Sequence, residues 1–142
     1  MLEIKARHLI NLQKMNNEQK DQNLHVSQHS SNEMLPAVLR LTLTKKWYDM
    51  ILSGEKKEEY REVKRFWICR LLANIEYLTD LDGVQNIGAR FKHFDFVEFK
   101  NGYAKSSPTM LVECKGITVG KPRPEWSEGF ADECFVISLR LS

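Results

Sequence analysis

The sequence predicts an α+β fold: a small, mostly antiparallel β-barrel of about five strands with two short helices. Three observations lead there. Segments alternating with period two recur along the chain, at 37–43, 57–62, 94–99, 109–119 and 134–141. Only the first of them are separated by segments of helical period, which disfavours a doubly wound α/β sheet. An Asn101-Gly102 dipeptide between two alternating runs marks a hairpin.

Each element has its own local cause. In 37–43, Leu39, Leu41 and Leu43 fall on one side and Val38, Arg40 and Thr42 on the other, the pattern of a half-buried strand. Thr44 stands where an N-cap belongs, and Trp47, Met50 and Ile51 recur at helical spacing as far as Ser53. Gly54 then suits the left-handed position that ends a helix. Residues 57–62 are charged but alternate, so Glu59 and Arg61 share one face while Glu58, Tyr60 and Glu62 share the other. From Lys64 to about Leu78 the stripe Trp67, Leu71, Leu72, Ile75 and Leu78 predicts the main helix. Residues 79–92 carry Asp, Gly and Asn without period and read as a loop. Strands are expected over 94–99 and from about Pro108 or Thr109 to Val119, joined by a turn longer than two residues. Residues 120–129, with two prolines and Trp126, form a connection. The final strand, 134–141, places Phe135, Ile137, Leu139 and Leu141 on one face.

The chain has 142 residues and 42% hydrophobic content, which suits one domain with one core. Composition changes near Met34, because every aromatic, glycine and proline lies downstream of it. Residues 1–34 are therefore expected to be a disordered or marginally helical leader, and 35–142 the domain. Met34 is a candidate physiological start, and a chain beginning there is expected to melt cooperatively. His8, His25 and His29 in the leader are too irregularly spaced for a metal site. Cys69, Cys114 and Cys134 show no C-x-x-C spacing, so neither zinc nor a disulfide framework is expected and no cofactor is called for. No apolar run approaches the roughly 20 residues needed to cross a bilayer, and the first residues contain no continuous apolar stretch of signal-peptide type, so a cytoplasmic protein without membrane contact is expected.

Lysine and arginine number 21 against 19 acids, too close a balance to announce a nucleic-acid binder in bulk. Distribution says more. Between Lys45 and Arg70 there are eight basic residues against five acidic ones, with Trp47, Tyr48, Tyr60, Phe66 and Trp67 interleaved. Bases stack on aromatic rings and phosphates seek Lys and Arg, so the mixture suits single-stranded RNA or a nucleotide. Trp47 and Trp67 lie on helical stripes and are expected to pack in the core. Tyr103 and Trp126 lie in turns and are candidate stacking platforms. Lys64 and Arg70 are candidate phosphate contacts. Glu59 and Arg61 on one strand face offer acceptors and donors to a planar ligand. Lys56 offers a phosphate contact or, with its pKa depressed by burial and by Arg61, a base or nucleophile. The alternative for the same residues is a solvated strand edge with ordinary ion pairs.

Gly54, Lys56, Glu59 and Arg61 satisfy G-x-K-x-x-E-x-R at the end of a helix entering a strand. This resembles the hallmark of the ASCH superfamily, whose members adopt a PUA-like β-barrel, and the resemblance extends over about residues 37–141. Glu59 to Lys64 with Phe66-Trp67, Phe99 to Tyr103, and Pro124-Glu125-Trp126 are similar to the small bacterial and phage-borne ASCH proteins. The resemblance implies an RNA- or nucleotide-binding module with a polar cleft at Lys56, Glu59, Arg61, Lys64, Arg70, Tyr103 and Trp126. It also implies an alternative, a metal-independent amidohydrolase of N(4)-acetylcytidine-type nucleosides. Such enzymes use the lysine of this motif, a threonine three residues later and a more distant glutamate. Lys56 matches the lysine, Glu59 stands at the threonine position, and Glu125 and Glu128 lie in a suitable connection. In that case Lys56 attacks or deprotonates and Glu59 relays a proton. A third alternative is a protein-interaction module with a relict pocket. Ligand and oligomeric state are not fixed by the sequence.

Overall fold

A computed structural model of the chain describes residues 34–73, 90–129 and 132–141. The expected leader, the loop over 79–89 and the segment carrying Ile75 and Leu78 lie outside the described residues. The elements are β1 (Val38–Leu43), α1 (Lys45–Leu52), β2 (Glu58–Arg61), α2 (Arg65–Leu71), β3 (Phe96–Asn101), β4 (Thr109–Gly120), a 3-10 turn (Pro124–Trp126) and β5 (Cys134–Arg140). The described residues are thus α+β, with one five-stranded mixed sheet and two helices. None of these helices is long and apolar enough to cross a membrane.

Strand order is β1-β3-β4-β5-β2. β1 and β3 are parallel, joined through α1, β2 and α2, and the other three pairs are antiparallel. The expected closed barrel is not what this pairing makes. The ladder stops at β1 on one side and β2 on the other, because β2 pairs only with β5 and β1 only with β3 among the described residues. The two edges nonetheless approach each other, since the Arg61 guanidinium on β2 donates to the Thr42 carbonyl of β1 at 3.3 Å. A side chain spans the seam where a barrel would have a backbone ladder.

The alternation in β1 does what the sequence predicts: Leu39, Leu41 and Leu43 are buried together. They meet Ile51 of α1, Ile68 and Leu71 of α2, Val97 and Phe99 of β3, Met110 and Val112 of β4, and Phe135, Ile137 and Leu139 of β5. Burying such a side chain contributes about 1.5–3 kcal/mol, so this continuous cluster is the main stabilising term. β5 is covered on its other face too, where Cys134 and Val136 pack with Tyr60 under the half-buried Trp126. β4 accommodates an irregularity, its register skipping Lys115 between Cys114 and Gly116. Gly116 has φ of 144°, which a residue with a Cβ adopts only under strain.

One helix boundary differs from expectation, and one expected cap lacks its bond. Thr44 occupies the N-cap position in extended conformation, yet its side chain makes no capping bond. The main helix stops at Leu71 rather than continuing toward Leu78. Leu72 turns extended (φ −100°, ψ 145°), pairs with Phe91 as an antiparallel bridge, and is buried along with Leu71. Adjacent residues on a helix point about 100° apart. Leaving the helix allows both leucines to reach the core, and the flanking bonds Ala73 N–H to Arg90 O and Lys92 N–H to Leu71 O hold the exit.

Candidate functional site

The seam between β1 and β2 opens into a cleft of about 640 Å³, within the ~300–1,000 Å³ typical of small-ligand sites. The exposed edge of β1, residues 40–44, makes one wall. β2 and the following Glu62 make the other. α2 with Lys64, Phe66, Trp67 and Arg70 closes one end, while Tyr103, Trp126 and Glu128 come in from loops. Among the described residues, four cations (Arg40, Arg61, Lys64, Arg70) and three carboxylates (Glu59, Glu62, Glu128) line it.

Local folding explains how the ionisable groups arrive. Gly54, at φ 84°, ends α1 and lets the chain turn back, so that the Lys56 N–H reaches the Met50 carbonyl at 2.9 Å. Lys56 therefore runs beneath the helix. Its side chain is 1% exposed. Its Nζ donates to the Glu58 carbonyl at 2.8 Å, stands 3.5 Å from Glu59 Oε1, and lies 4.7 Å and 5.1 Å from the ring centres of Tyr60 and Trp47. Burial pushes the Lys56 ammonium below its ordinary pKa, partly offset by the Glu59 carboxylate.

Glu59 is the hub. Its Oε1 accepts from the Tyr60 N–H at 2.7 Å and lies 3.1 Å from Arg61 Nη1. Its Oε2 is buried with no hydrogen-bond partner among the described residues. Arg61 Nη1 also donates to the Tyr60 carbonyl at 2.8 Å, and the guanidinium sits 5.0 Å from the Trp67 ring centre. Arg70 approaches the same indole at 5.8 Å and donates to the Arg40 carbonyl at 2.7 Å. The carbonyls of residues 40 and 42, both on the free edge of β1, are thus taken by two guanidiniums. This caps a strand edge that would otherwise invite pairing.

The opposite face of β2 is separate chemistry. The Tyr60 hydroxyl donates to Glu58 Oε2 at 2.6 Å and accepts from the Arg123 N–H at 3.1 Å, and burial with Glu58 raises its pKa. Behind it, burial pushes the Cys134 thiol up to about 11, and Cys114 is raised for the same reason, so both are neutral thiols at physiological pH.

The structure brings Lys56, Glu59 and Arg61 together, as the motif implies. Glu59, Arg61, Lys64, Arg70, Tyr103 and Trp126 all line the cleft, but Lys56 does not; it is buried, with its Nζ 3.5 Å from Glu59 Oε1. Lys64 is ion-paired with Glu62, Tyr103 is 91% exposed at the mouth, and Trp126 is half-buried with Arg123 over its ring at 4.8 Å. Of the two distant glutamates, Glu128 lines the cleft, paired with Lys46, and Glu125 does not line it. Trp47 and Trp67 pack against the core as expected, but they are only half-buried and also line the cleft, which sequence reasoning missed. The available signal was their interleaving with the basic run 45–70. The edge of β1 carried no such signal, because its carbonyls reach the site through strand order. No family model, no curated protein and no solved structure matches the chain, so the functional reading rests on the chemistry of this cleft.

Proposed function

We propose that the chain is an ASCH-type, PUA-like domain that binds a nucleotide, or a nucleotide of single-stranded RNA, in the seam cleft. In that reading the sheet is the wall of a small barrel left open along the β1–β2 seam, and the opening is the ligand site. The observation that carries it is the floor. A buried carboxylate stands beside a guanidinium in a recess that Trp47, Trp67 and Trp126 also line, with four cations against three carboxylates among the described residues. Carboxylate and guanidinium present an acceptor and a donor to the edge of a flat ring. The aromatic rings offer faces for stacking, worth about 1–3 kcal/mol per base. Arg70 and Lys64 lie where a phosphate would need charge.

Binding is favoured over amide hydrolysis because Lys56 has no open path to a substrate. It is covered, it donates to a carbonyl, and it does not line the cleft. Two measurements separate the readings. Affinity for a short single-stranded RNA falls with rising salt, with a slope of about 0.7 per phosphate engaged, and Arg61→Ala weakens binding. Salt-independent or absent binding contradicts the proposal. Incubation with N(4)-acetylcytidine is expected to release no cytidine. Release that disappears in Lys56→Ala would replace the binding reading with the hydrolase.

A further inference from the structure

We infer that Arg70 is the group that takes the ligand's phosphate, so that the α2 end of the cleft is an anion subsite built on one guanidinium. The inference rests on the nucleotide reading above and goes beyond it by choosing among the cations of the cleft.

Charge pairing makes the choice. Arg40 stands 3.6 Å from Glu98 Oε1, Arg61 stands 3.1 Å from Glu59 Oε1, and Lys64 is paired with Glu62. Among the described residues, Arg70 is the cleft-lining cation with no carboxylate partner. Lys64 would have to give up Glu62 to meet a phosphate. Glu62 lines the same cleft, so its carboxylate would then face the incoming anion, and like charges a few ångströms apart repel. Arg70 carries neither cost.

Geometry agrees with the charges. The Arg70 Cζ lies 5.8 Å from the Trp67 ring centre and 6.0 Å from that of Phe66, and one of its nitrogens donates to the Arg40 carbonyl at 2.7 Å. Arg40, Phe66 and Trp67 all line the cleft, so the guanidinium itself, and not only its aliphatic stem, stands at the cleft wall. The carbonyl and the two rings hold its plane in place. A guanidinium has five N–H donors and the carbonyl takes one, which leaves donors for the paired, parallel hydrogen bonds that phosphate oxygens accept. Arg70 is half-buried, whereas the Lys64 side chain is 70% exposed, so salt screens the arginine charge less. A planar fork held against a wall gives up little freedom when a phosphate docks; a solvated lysine gives up more.

The test is calorimetric titration of the full chain with cytidine, CMP, adenosine and AMP at one ionic strength, for the natural sequence, Arg70→Gln and Lys64→Gln. The expected result is that each nucleotide binds the natural sequence about tenfold or more tighter than its nucleoside. In Arg70→Gln, which keeps a polar side chain without the charge, each ratio is expected to fall to about threefold or less. Lys64→Gln is expected to lower the ratios by less than Arg70→Gln does. Equal binding of nucleoside and nucleotide to the natural sequence overturns the inference and leaves the site reading standing. Ratios that survive in Arg70→Gln also overturn it, as do ratios that fall as far in Lys64→Gln, since another cation must then hold the phosphate. No binding by any of the four compounds overturns the site reading as well. Should Arg70→Gln fail to melt cooperatively, the Arg70 Nε–H resonance in the natural chain decides the matter. It must shift further with CMP than with cytidine, and equal shifts would sink the inference.

Discussion

A carboxylate held between two cations behaves differently from either cation when removed. Deleting Glu59 leaves Lys56 and Arg61, 1% and 15% exposed, facing each other without a counter-charge. Breaking a buried pair in this sense costs about 3–5 kcal/mol, so Glu59→Ala is expected to be destabilised by about 3 kcal/mol or more. Deleting Lys56 instead leaves Glu59 paired with Arg61 and the Tyr60 N–H, and it removes an ammonium whose burial already opposes its charge. Lys56→Met is expected to cost about 1 kcal/mol or less. Urea denaturation of both variants checks the order; the reverse order would mean that Lys56, not Glu59, is the electrostatic hub. The type and spacing of these residues were legible in the sequence. Their depth was not, because a lysine shows its burial only through what covers it, here Trp47 and Tyr60 from two different elements.

At the scale of elements, the start of β1 is held by polar groups outside its ladder. Asp95, just ahead of β3, accepts from the Ala37 N–H at 2.8 Å while its own N–H donates to the Ala37 carbonyl at 2.8 Å, and its second oxygen meets His93 at 3.0 Å. The Ala37 N–H and His93 lower the Asp95 pKa from its ordinary value of 3.8. A carboxylate with a lowered folded pKa contributes stability that is fully present above its unfolded value and lost as pH falls through the folded one. Asp95→Asn is therefore expected to be less stable than the natural sequence at pH 7, by well under about 1 kcal/mol given that side chain's exposure. The two melting curves should converge below pH 3.8; a difference that persists there would assign the effect to packing. Strands announced themselves through alternation, as Leu39, Leu41 and Leu43 show. The end of α2 did not, since the stripe running through Leu71 and Leu72 continues smoothly to Leu78. Only the bridge to Phe91, a partner distant in sequence, reveals that Leu72 leaves the helix.

For the whole molecule, function follows from strand order. β1 and β2 are neighbours in sequence but take opposite edges of the sheet, and the curl of that sheet returns them to either side of one cleft. The motif residues and the basic-aromatic run between Lys45 and Arg70 foretold a polar site, yet its second wall, the free edge of β1, depends on long-range pairing that no local pattern encodes. The same topology places all three tryptophans of the chain, Trp47, Trp67 and Trp126, around the cleft, so its occupation can be read without a label. Intrinsic tryptophan fluorescence titrated with a short single-stranded RNA tests the central claim most directly. The account predicts saturable quenching as bases stack on the indoles, weakened by salt and by Arg61→Ala. A signal that stays flat to millimolar nucleotide, or quenches identically in Arg61→Ala and at any ionic strength, would contradict it.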